Sequence, residues 1–358
     1  MLFTPLAKRS LQLRNRIVMA PMTRHRAAKH NTPNALMAEY YGQRATAGLI
    51  VTEGTSPSPN GLGYPRIPGL FDQAHVQGWQ QVTQAVHAQG GKIFVQLMHT
   101  GRVTHVDNLP ADAEVLGPMA EICPGEMFTD TQGLQPHSAP RPMSTEDIAH
   151  AVAEYAQSAR LAIEAGFDGV ELHAANGYLI EQFLNANVNR RTDAYGDGIH
   201  GRNRFALEVV RATVAAIGAE RVGIRLSPCG VLNSTGAHPD VEAQYLALAE
   251  ELSRLGILYV HLLDHSALGA PPVPAELKLR LRAASTGVFI LAGGFDRASA
   301  EHALEAGHAD LIAFARPFIS NPDLVARIQA DAPLNPLDVA TFYTPGAKGY
   351  TDYPMLNA

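Results

Sequence analysis

The most constraining feature of the chain is an alternation repeated eight times, in which a short β-branched run precedes a longer stretch with helical spacing. The runs lie at 16–20, 49–52, 92–97, 169–172, 222–226, 258–262, 288–291 and 311–314. Helical patterns follow near 34–47, 74–89, 145–165, 202–217, 240–255, 275–284, 297–306 and 322–330. Near-continuous apolar strands need helices to cover them, so eight βα units predict a closed parallel barrel, the (β/α)8 TIM barrel of the α/β class. A doubly wound sheet is the alternative. Ser144 opens an S-x-x-D capping pattern ending at Asp147, Asp240 is placed to cap the next long helix, and Pro322 suits a first helical position.

The segment 101–143, after the third strand, is rich in Pro and Gly and too long for an ordinary connection. It reads as an excursion over the barrel mouth. No Gly/Ser or charged linker divides the chain, so residues 1–358 read as a single domain. The tail 331–358 carries Phe342, Tyr343, Tyr350 and Tyr353, which either close the mouth or pack outside it.

A formal charge of −6 with no block of like charges argues against nucleic acid as a partner. Two cysteines, Cys123 and Cys229, exclude a disulfide scaffold and a four-thiolate metal site, and read as small packing residues. Met1 to Pro5 lacks a signal-peptide layout, and no run of ~20 apolar residues follows. The expectation is a soluble, cytoplasmic protein without membrane contact. Rossmann, P-loop, nucleophile-elbow and zincin patterns are missing, and His261 with His265 lacks the context of a metal pair.

In a barrel of this kind the chemistry sits at the carboxyl ends of the strands. There the sequence places Pro21, Met22 and Thr23, then Gln96 and His99, then His173, Asn176 and Tyr178. Gly293-Gly294 and Arg316 follow strands seven and eight, where barrels commonly bind phosphate; the alternative is a tight turn and a surface charge. Arg225 interrupts an apolar strand, so it must face either a carboxylate in a structural ion pair or an electron-rich ligand. His173 and Asn176 can donate two hydrogen bonds to one oxygen, and a tyrosine can deliver a proton while neutral. A lone histidine at a strand end is otherwise a packing residue.

Several ordered motifs then carry a family resemblance: Asn15-Arg16-Ile17-Val18-Met19-Ala20-Pro21-Met22-Thr23-Arg24, Val95-Gln96-Leu97-Met98-His99-Thr100-Gly101-Arg102, the cluster from His173 to Tyr178, Asn189-Arg190-Arg191-Thr192-Asp193 and Gly349-Tyr350-Thr351-Asp352-Tyr353-Pro354. The chain resembles the old yellow enzyme family of FMN-dependent ene-reductases, especially its bacterial members, over nearly its whole length. The resemblance implies non-covalent FMN held by Pro21, Met22, Thr23, Gly54, Gln96 and Arg225, with Gly293, Gly294, Ala315 and Arg316 around its phosphate. It implies that His173 and Asn176 hold the carbonyl or nitro oxygen of an activated alkene, that Tyr178 protonates it, and that Tyr64, Met98 and Tyr343 line the pocket. NADPH or NADH would be the reductant and no metal is expected; the oligomeric state is left open.

Three positions depart from the family pattern: Met98 where Trp is usual, Ala315 for a common Gly, and the stretch Gly196-Asp197-Gly198-Ile199-His200-Gly201. Two rival readings are a non-redox lyase or isomerase holding a sugar phosphate, and a barrel that binds flavin or another ligand without turnover.

Overall fold

In the computed structural model, which describes residues 1–356, all eight runs become parallel strands of one closed barrel. They are β1 (Ile17–Met19), β2 (Leu49–Thr55), β3 (Ile93–Leu97), β4 (Gly169–Ala174), β5 (Val222–Leu226), β6 (Tyr259–Leu263), β7 (Val288–Ala292) and β8 (Leu311–Phe314). Pairing of β8 with β1 closes the ring, which leaves no barrel strand with an open edge. The outer helices are α1 (Ala35–Gln43), α2 (Gln73–His87), α3 (Thr145–Glu164), α4 (Gly198–Ile217), α5 (Val241–Arg254), α6 (Ala275–Ala284), α7 (Arg297–Glu305) and α8 (Leu324–Ala330). Among the described residues, no helix is long and apolar enough to cross a membrane.

The capping expectations divide. Ser144 accepts from the Asp147 N–H while Asp147 accepts from the Ser144 N–H, a complete capping box on α3. Asp240 does not cap α5 with its side chain, because Arg202 Nη2 takes its carboxylate at 3.0 Å. Pro322 lies two residues ahead of α8: Asn321 Nδ2 turns back to the Pro317 carbonyl at 2.8 Å, ending a short helix Arg316–Ser320, and the proline joins the two helices.

Alternation along the strands divides their side chains between two environments. Val170 and Leu172 pack outward in the cluster shared with the helices, whereas Glu171 and His173 point into the barrel. The barrel interior itself has two levels. At the amino end Leu6, Leu11 and Leu13, from an antiparallel hairpin (Leu6–Lys8 with Leu11–Leu13), pack with Val18, Val51, Phe94 and Ile290 as an apolar plug. At the carboxyl end the level is polar, and register builds it: Gly54, Gln96 and Glu171 are lateral neighbours, and His173, Arg225 and His261 form the next row.

The excursion does cross the mouth. A second hairpin, Glu126–Thr129 with Gly133–Pro136, presents Glu126, Met127, Phe128 and Leu134 to the cavity below. Asn108 Nδ2 donates to its Phe128 carbonyl at 2.9 Å, Asp107 accepts from Thr131 and Gln132, and Arg66 pairs with Asp130. From the opposite side comes the tail, and its aromatics divide. Tyr343 reaches the cavity, while Tyr350 is fully buried and stacked on Tyr40 with ring centroids 4.0 Å apart.

Guanidinium groups hold that tail. Arg26 donates to the carbonyls of Phe342 and Thr341 at 2.7 Å and of Lys348 at 3.1 Å, and Arg24 to those of Phe342 and Gly349 at 3.1 and 2.7 Å. Losing Arg26 removes at once a donor from the buried Thr341 carbonyl and from the partly buried Phe342 and Lys348 carbonyls. Arg26→Ala should therefore cost about 3 kcal/mol, lowering the melting temperature by roughly 5 °C. Hydrogen exchange should accelerate selectively in 339–350.

One more short helix, Leu179–Leu184, carries Glu181 beneath the loop after β4. Its carboxylate accepts from the Gly177 N–H at 2.6 Å, from Ser227 Oγ at 3.0 Å and from the Tyr245 hydroxyl at 3.4 Å. Those donors do not outweigh burial, which pushes the Glu181 pKa up to about 7 from an ordinary 4.5. The native state thus binds this proton more tightly than the unfolded chain, and the associated stability is complete below pH 4.5 and lost as pH rises through 7. Glu181→Gln removes that slope. Its melting temperature relative to wild type should climb between pH 5 and 8, by the equivalent of about 3 kcal/mol. A pH-independent difference would contradict the assignment.

Candidate active site

A cavity of about 380 Å³ opens at the carboxyl end of the barrel, lined by Pro21, Thr23, Gly54, Gln96, Met98, His173, Asn176, Tyr178 and Arg225, with Tyr64 and Tyr343 on the outer side. All but one of the residues expected around the ring and substrate are here. Ala315 and Arg316, expected around the phosphate, line a second cavity, and Met22 turns its side chain against the core.

His173 is the penultimate residue of β4, and the backbone N–H of Ala175 donates to its Nδ1 at 3.3 Å. A backbone amide can only donate, so the ring proton sits on Nε2, which points away from that bond. Burial, followed by the charge of Arg225, pushes the His173 pKa well below 6.5. The imidazole is therefore neutral and offers one N–H. Asn176 adopts φ +60°. Its N–H donates to Ser227 Oγ at 3.0 Å and its carbonyl accepts from Asn233 Nδ2 at 2.7 Å. Asparagine tolerates this left-handed conformation better than most residues, and it lets the loop double back over β5.

The hydroxyls of Tyr178 and Tyr64 lie 3.0 Å apart, and the Tyr178 ring stands edge-on to His173 at a centroid distance of 4.9 Å. Burial pushes the Tyr178 pKa up to about 12, which keeps its proton available at neutral pH. Met98, only 1% exposed, packs with Leu62 and Ile67, and its Sδ would lie 2.4 Å from a Cβ added at Gly54. Gly54 is thus required for Met98 to lie across β2 and reach the cavity.

Beneath this surface the polar level centres on Glu171, which is fully buried. Oε1 accepts from Gln96 Nε2 at 2.8 Å; Oε2 accepts from His261 Nδ1 at 2.8 Å and from the Tyr259 hydroxyl at 3.1 Å. The tyrosine reaches it because β5 has Gly223 where a Cβ would lie 2.2 Å from the Tyr259 ring. Burial alone would raise the carboxyl pKa, but His261, Arg225 and Gln96 together bring it below 4.5. Glu171 is ionised and His261 neutral, with Arg225 supplying the countercharge.

Arg225 resolves the two readings of its charge in an unexpected way. The field of Glu171 supports it, yet the guanidinium makes no hydrogen bond among the described residues, and its Nε is buried without a partner. Arg225 also lines a second cavity of about 260 Å³, with Ala20, His265, Gly293, Gly294, Ala315 and Arg316. Gly293 and Gly294 have φ +142° and +69°, and a Cβ on the first would meet the Asp264 carbonyl at 2.5 Å. The glycine pair is therefore a turn that conformation and space both require. It also bares its backbone N–H groups beside the exposed Arg316, none of which has an acceptor among the described residues. Two cavities sharing one unsatisfied guanidinium suit a ligand with a planar polar ring at one end and an anion at the other.

Sequence reasoning missed Glu171, Tyr259, His261, Glu181, Ser227 and His25. Glu171 could have been found, since it lies two residues before His173 and shares its inward face. His25 lines the first cavity between Tyr64 and Tyr343, with burial holding its pKa at about 3. His261 and His265 serve separate partners, Glu171 and Asn176. Among the described residues, no group of three or more His, Cys, Asp or Glu side chains could hold a metal.

A model of the NADH:flavin oxidoreductase / NADH oxidase family matches residues 1–335. The chain is 44% identical to a chanoclavine-I aldehyde reductase of Penicillium roqueforti, covering 98% of this chain and 95% of the relative. It is 41% identical to 12-oxophytodienoate reductase 1 of Oryza sativa, covering 99% and 93%. Among solved structures it is similar to morphinone reductase in complex with tetrahydroNAD, with a TM-score of 0.94 at 43% identity over 99% of this chain and 97% of that one. It is also similar to the old yellow enzyme homologue from Zymomonas mobilis, with a TM-score of 0.95 at 39% identity over 99% of each. These relatives come from a fungus, a plant and a bacterium, so they show the family rather than its bacterial branch. A sugar-phosphate lyase reading falls away. Matched along almost its whole length, with donors, phenol and unsatisfied arginine gathered at one barrel mouth, the chain belongs to the NADH:flavin oxidoreductase, or old yellow enzyme, family and is an NAD(P)H-dependent flavin oxidoreductase of the ene-reductase type.

Proposed function

We propose that the protein uses non-covalently bound FMN and NADPH or NADH to reduce the activated C=C bond of α,β-unsaturated carbonyl or nitro compounds, with residues 1–358 acting as one unit. The observation that carries this reading is the pairing of His173 Nε2–H with the Asn176 amide beside Tyr178 in one cavity. When bound, FMN would supply the two-electron carrier between the nicotinamide and the β-carbon of the alkene.

The chain's own residues supply the rest. His173 and Asn176 donate to the carbonyl or nitro oxygen, which draws electron density from the double bond and stabilises the negative charge that develops there. Tyr178, kept protonated by burial, delivers a proton to the α-carbon, and Tyr64 stands behind its hydroxyl. Thr23, with no hydrogen-bond partner among the described residues, and the Gln96 amide, held by Glu171, are the polar contacts for the flavin ring, with Gly54 and the backbone of Pro21 and Met22 along it. Arg225 offsets negative charge on the ring, and Gly293, Gly294, Ala315 and Arg316 receive the phosphate. Met98, Tyr64 and Tyr343 shape the substrate side.

The first test is optical: the purified protein should be yellow and release FMN on denaturation. A colourless preparation that fails to bind added FMN would overturn the cofactor. His173→Ala with Asn176→Ala should retain FMN and lose on the order of 100-fold or more in cyclohexenone reduction. Unchanged turnover in that double variant would refute the role of the pair. Tyr178→Phe should slow reoxidation of the reduced protein by cyclohexenone while leaving its reduction by NADPH nearly intact, because only the alkene takes up the proton. Stopped-flow traces showing equal losses in the two half-reactions would count against proton donation.

A further inference from the structure

A primary amide has two ends of similar shape and opposite hydrogen-bonding character. For Asn176 the difference is decisive, because the oxygen of a carbonyl or nitro group only accepts. Nδ2 facing the cavity attracts it; Oδ1 facing the cavity repels it. The backbone cannot make that choice. Its N–H is held by Ser227 and its carbonyl by Asn233, which fix where the side chain starts but not how its amide is turned.

The remaining contact is to His265. Nε2 of this histidine lies 2.9 Å from Asn176 Oδ1. His265 follows β6, is 4% exposed, and occupies a loop fastened by Asp264, whose carboxylate accepts from the Ser266 and Val273 N–H groups at 2.8 and 3.2 Å and pairs with Lys278 at 2.5 Å. We propose that His265 is a positioning residue for the reaction: its Nε2–H holds Oδ1 of Asn176 and so turns the Nδ2 donors toward the substrate oxygen.

Three further facts agree with this. Burial, followed by the charge of Arg225, lowers the His265 pKa, so the ring is neutral and carries one proton. Nδ1 is buried and has no partner. A proton placed there would be an unsatisfied buried donor, which costs more than an unsatisfied ring acceptor shielded from water. Finally, the arrangement repeats the logic of His173, whose Nδ1 is occupied from behind by the Ala175 N–H so that Nε2–H faces forward. Both donors aimed at one oxygen are thus oriented by a hydrogen bond on their far side.

This inference rests on the ene-reductase reading of the cavity and is tested beside it. Because His265 also lines the second cavity, rates are taken per bound flavin in the flavin-loaded protein. His265→Leu should lower kcat/KM for cyclohexenone by roughly tenfold or more and weaken binding of the saturated ketone cyclohexanone. His265→Gln, which retains an N–H donor, should recover to within about threefold of wild type. In the Asn176→Ala background, His265→Leu should cost no more than about twofold, because the group it orients is gone. His265→Met carries the same test if His265→Leu does not fold. A loss in His265→Leu below about threefold, equal losses in Leu and Gln variants, or an undiminished loss in the Asn176→Ala background would overturn the proposal. Wild-type protein that binds flavin and fails to reduce enones would instead overturn the reading on which it rests.

Discussion

The buried carboxylate of Glu171 is the interaction on which the carboxyl half of the barrel depends. A charge in that position has a desolvation cost of several kcal/mol unless it is fully satisfied. Here Gln96, His261 and Tyr259 donate to it, and Arg225 supplies opposite charge from the adjacent strand. Each partner is constrained in turn. Gln96 must direct its amide nitrogen inward, which leaves its carbonyl free for a ligand; Arg225 can remain charged inside the barrel without a direct hydrogen bond. Even glycine at position 223 belongs to this arrangement, since a side chain there would displace the ring of Tyr259.

The same economy governs the substrate side. Neither His173 nor Asn176 has a fixed donor direction by chemistry, because an imidazole has two tautomers and an amide can turn over. Contacts from behind remove the ambiguity: the Ala175 N–H for one, His265 for the other. Glu181 and Ser227 support the loop between them from beneath, through the Gly177 and Asn176 N–H groups. The reacting oxygen would then meet donors already oriented, with little reorganisation left for the reaction itself.

Above the cavity, a hairpin loop and a chain tail are fixed by polar anchors together with one buried side chain each, Met127 and Tyr350. The hairpin depends on Asp107, Asn108 and the Arg66–Asp130 pair, and the tail on Arg24 and Arg26. Phe128, Leu134 and Tyr343 are thereby brought to one mouth from segments more than two hundred residues apart, where they remain substantially exposed. The contrast with Met98, buried in the wall below, is one of anchoring: a strand residue is placed by its ladder, a loop residue by whatever holds its backbone.

By itself the sequence determined the eight strands, the barrel and the residues at its rim, because local periodicity reports which face of each element is buried and strand order dictates where the carboxyl ends gather. His173, Asn176 and Tyr178 were legible for that reason, as were Gly293, Gly294 and Arg316 after the last two strands. Other features are invisible to periodicity. Asp240 and Pro322 had suitable positions for helix starts, but Arg202 claimed the Asp240 carboxylate, and Asn321, turned back to Pro317, left Pro322 in the connection between two helices. The tail's aromatics divided between mouth and core only once Arg24 and Arg26 had a backbone to hold. Only the tertiary structure decided that Arg225 would share two cavities, that Glu171 would centre the polar level, and that His265 would face Asn176 across 89 residues of chain. Each depends on register between strands distant in sequence, and hydrogen-bond direction is settled by the partner that arrives, not by the residue that waits.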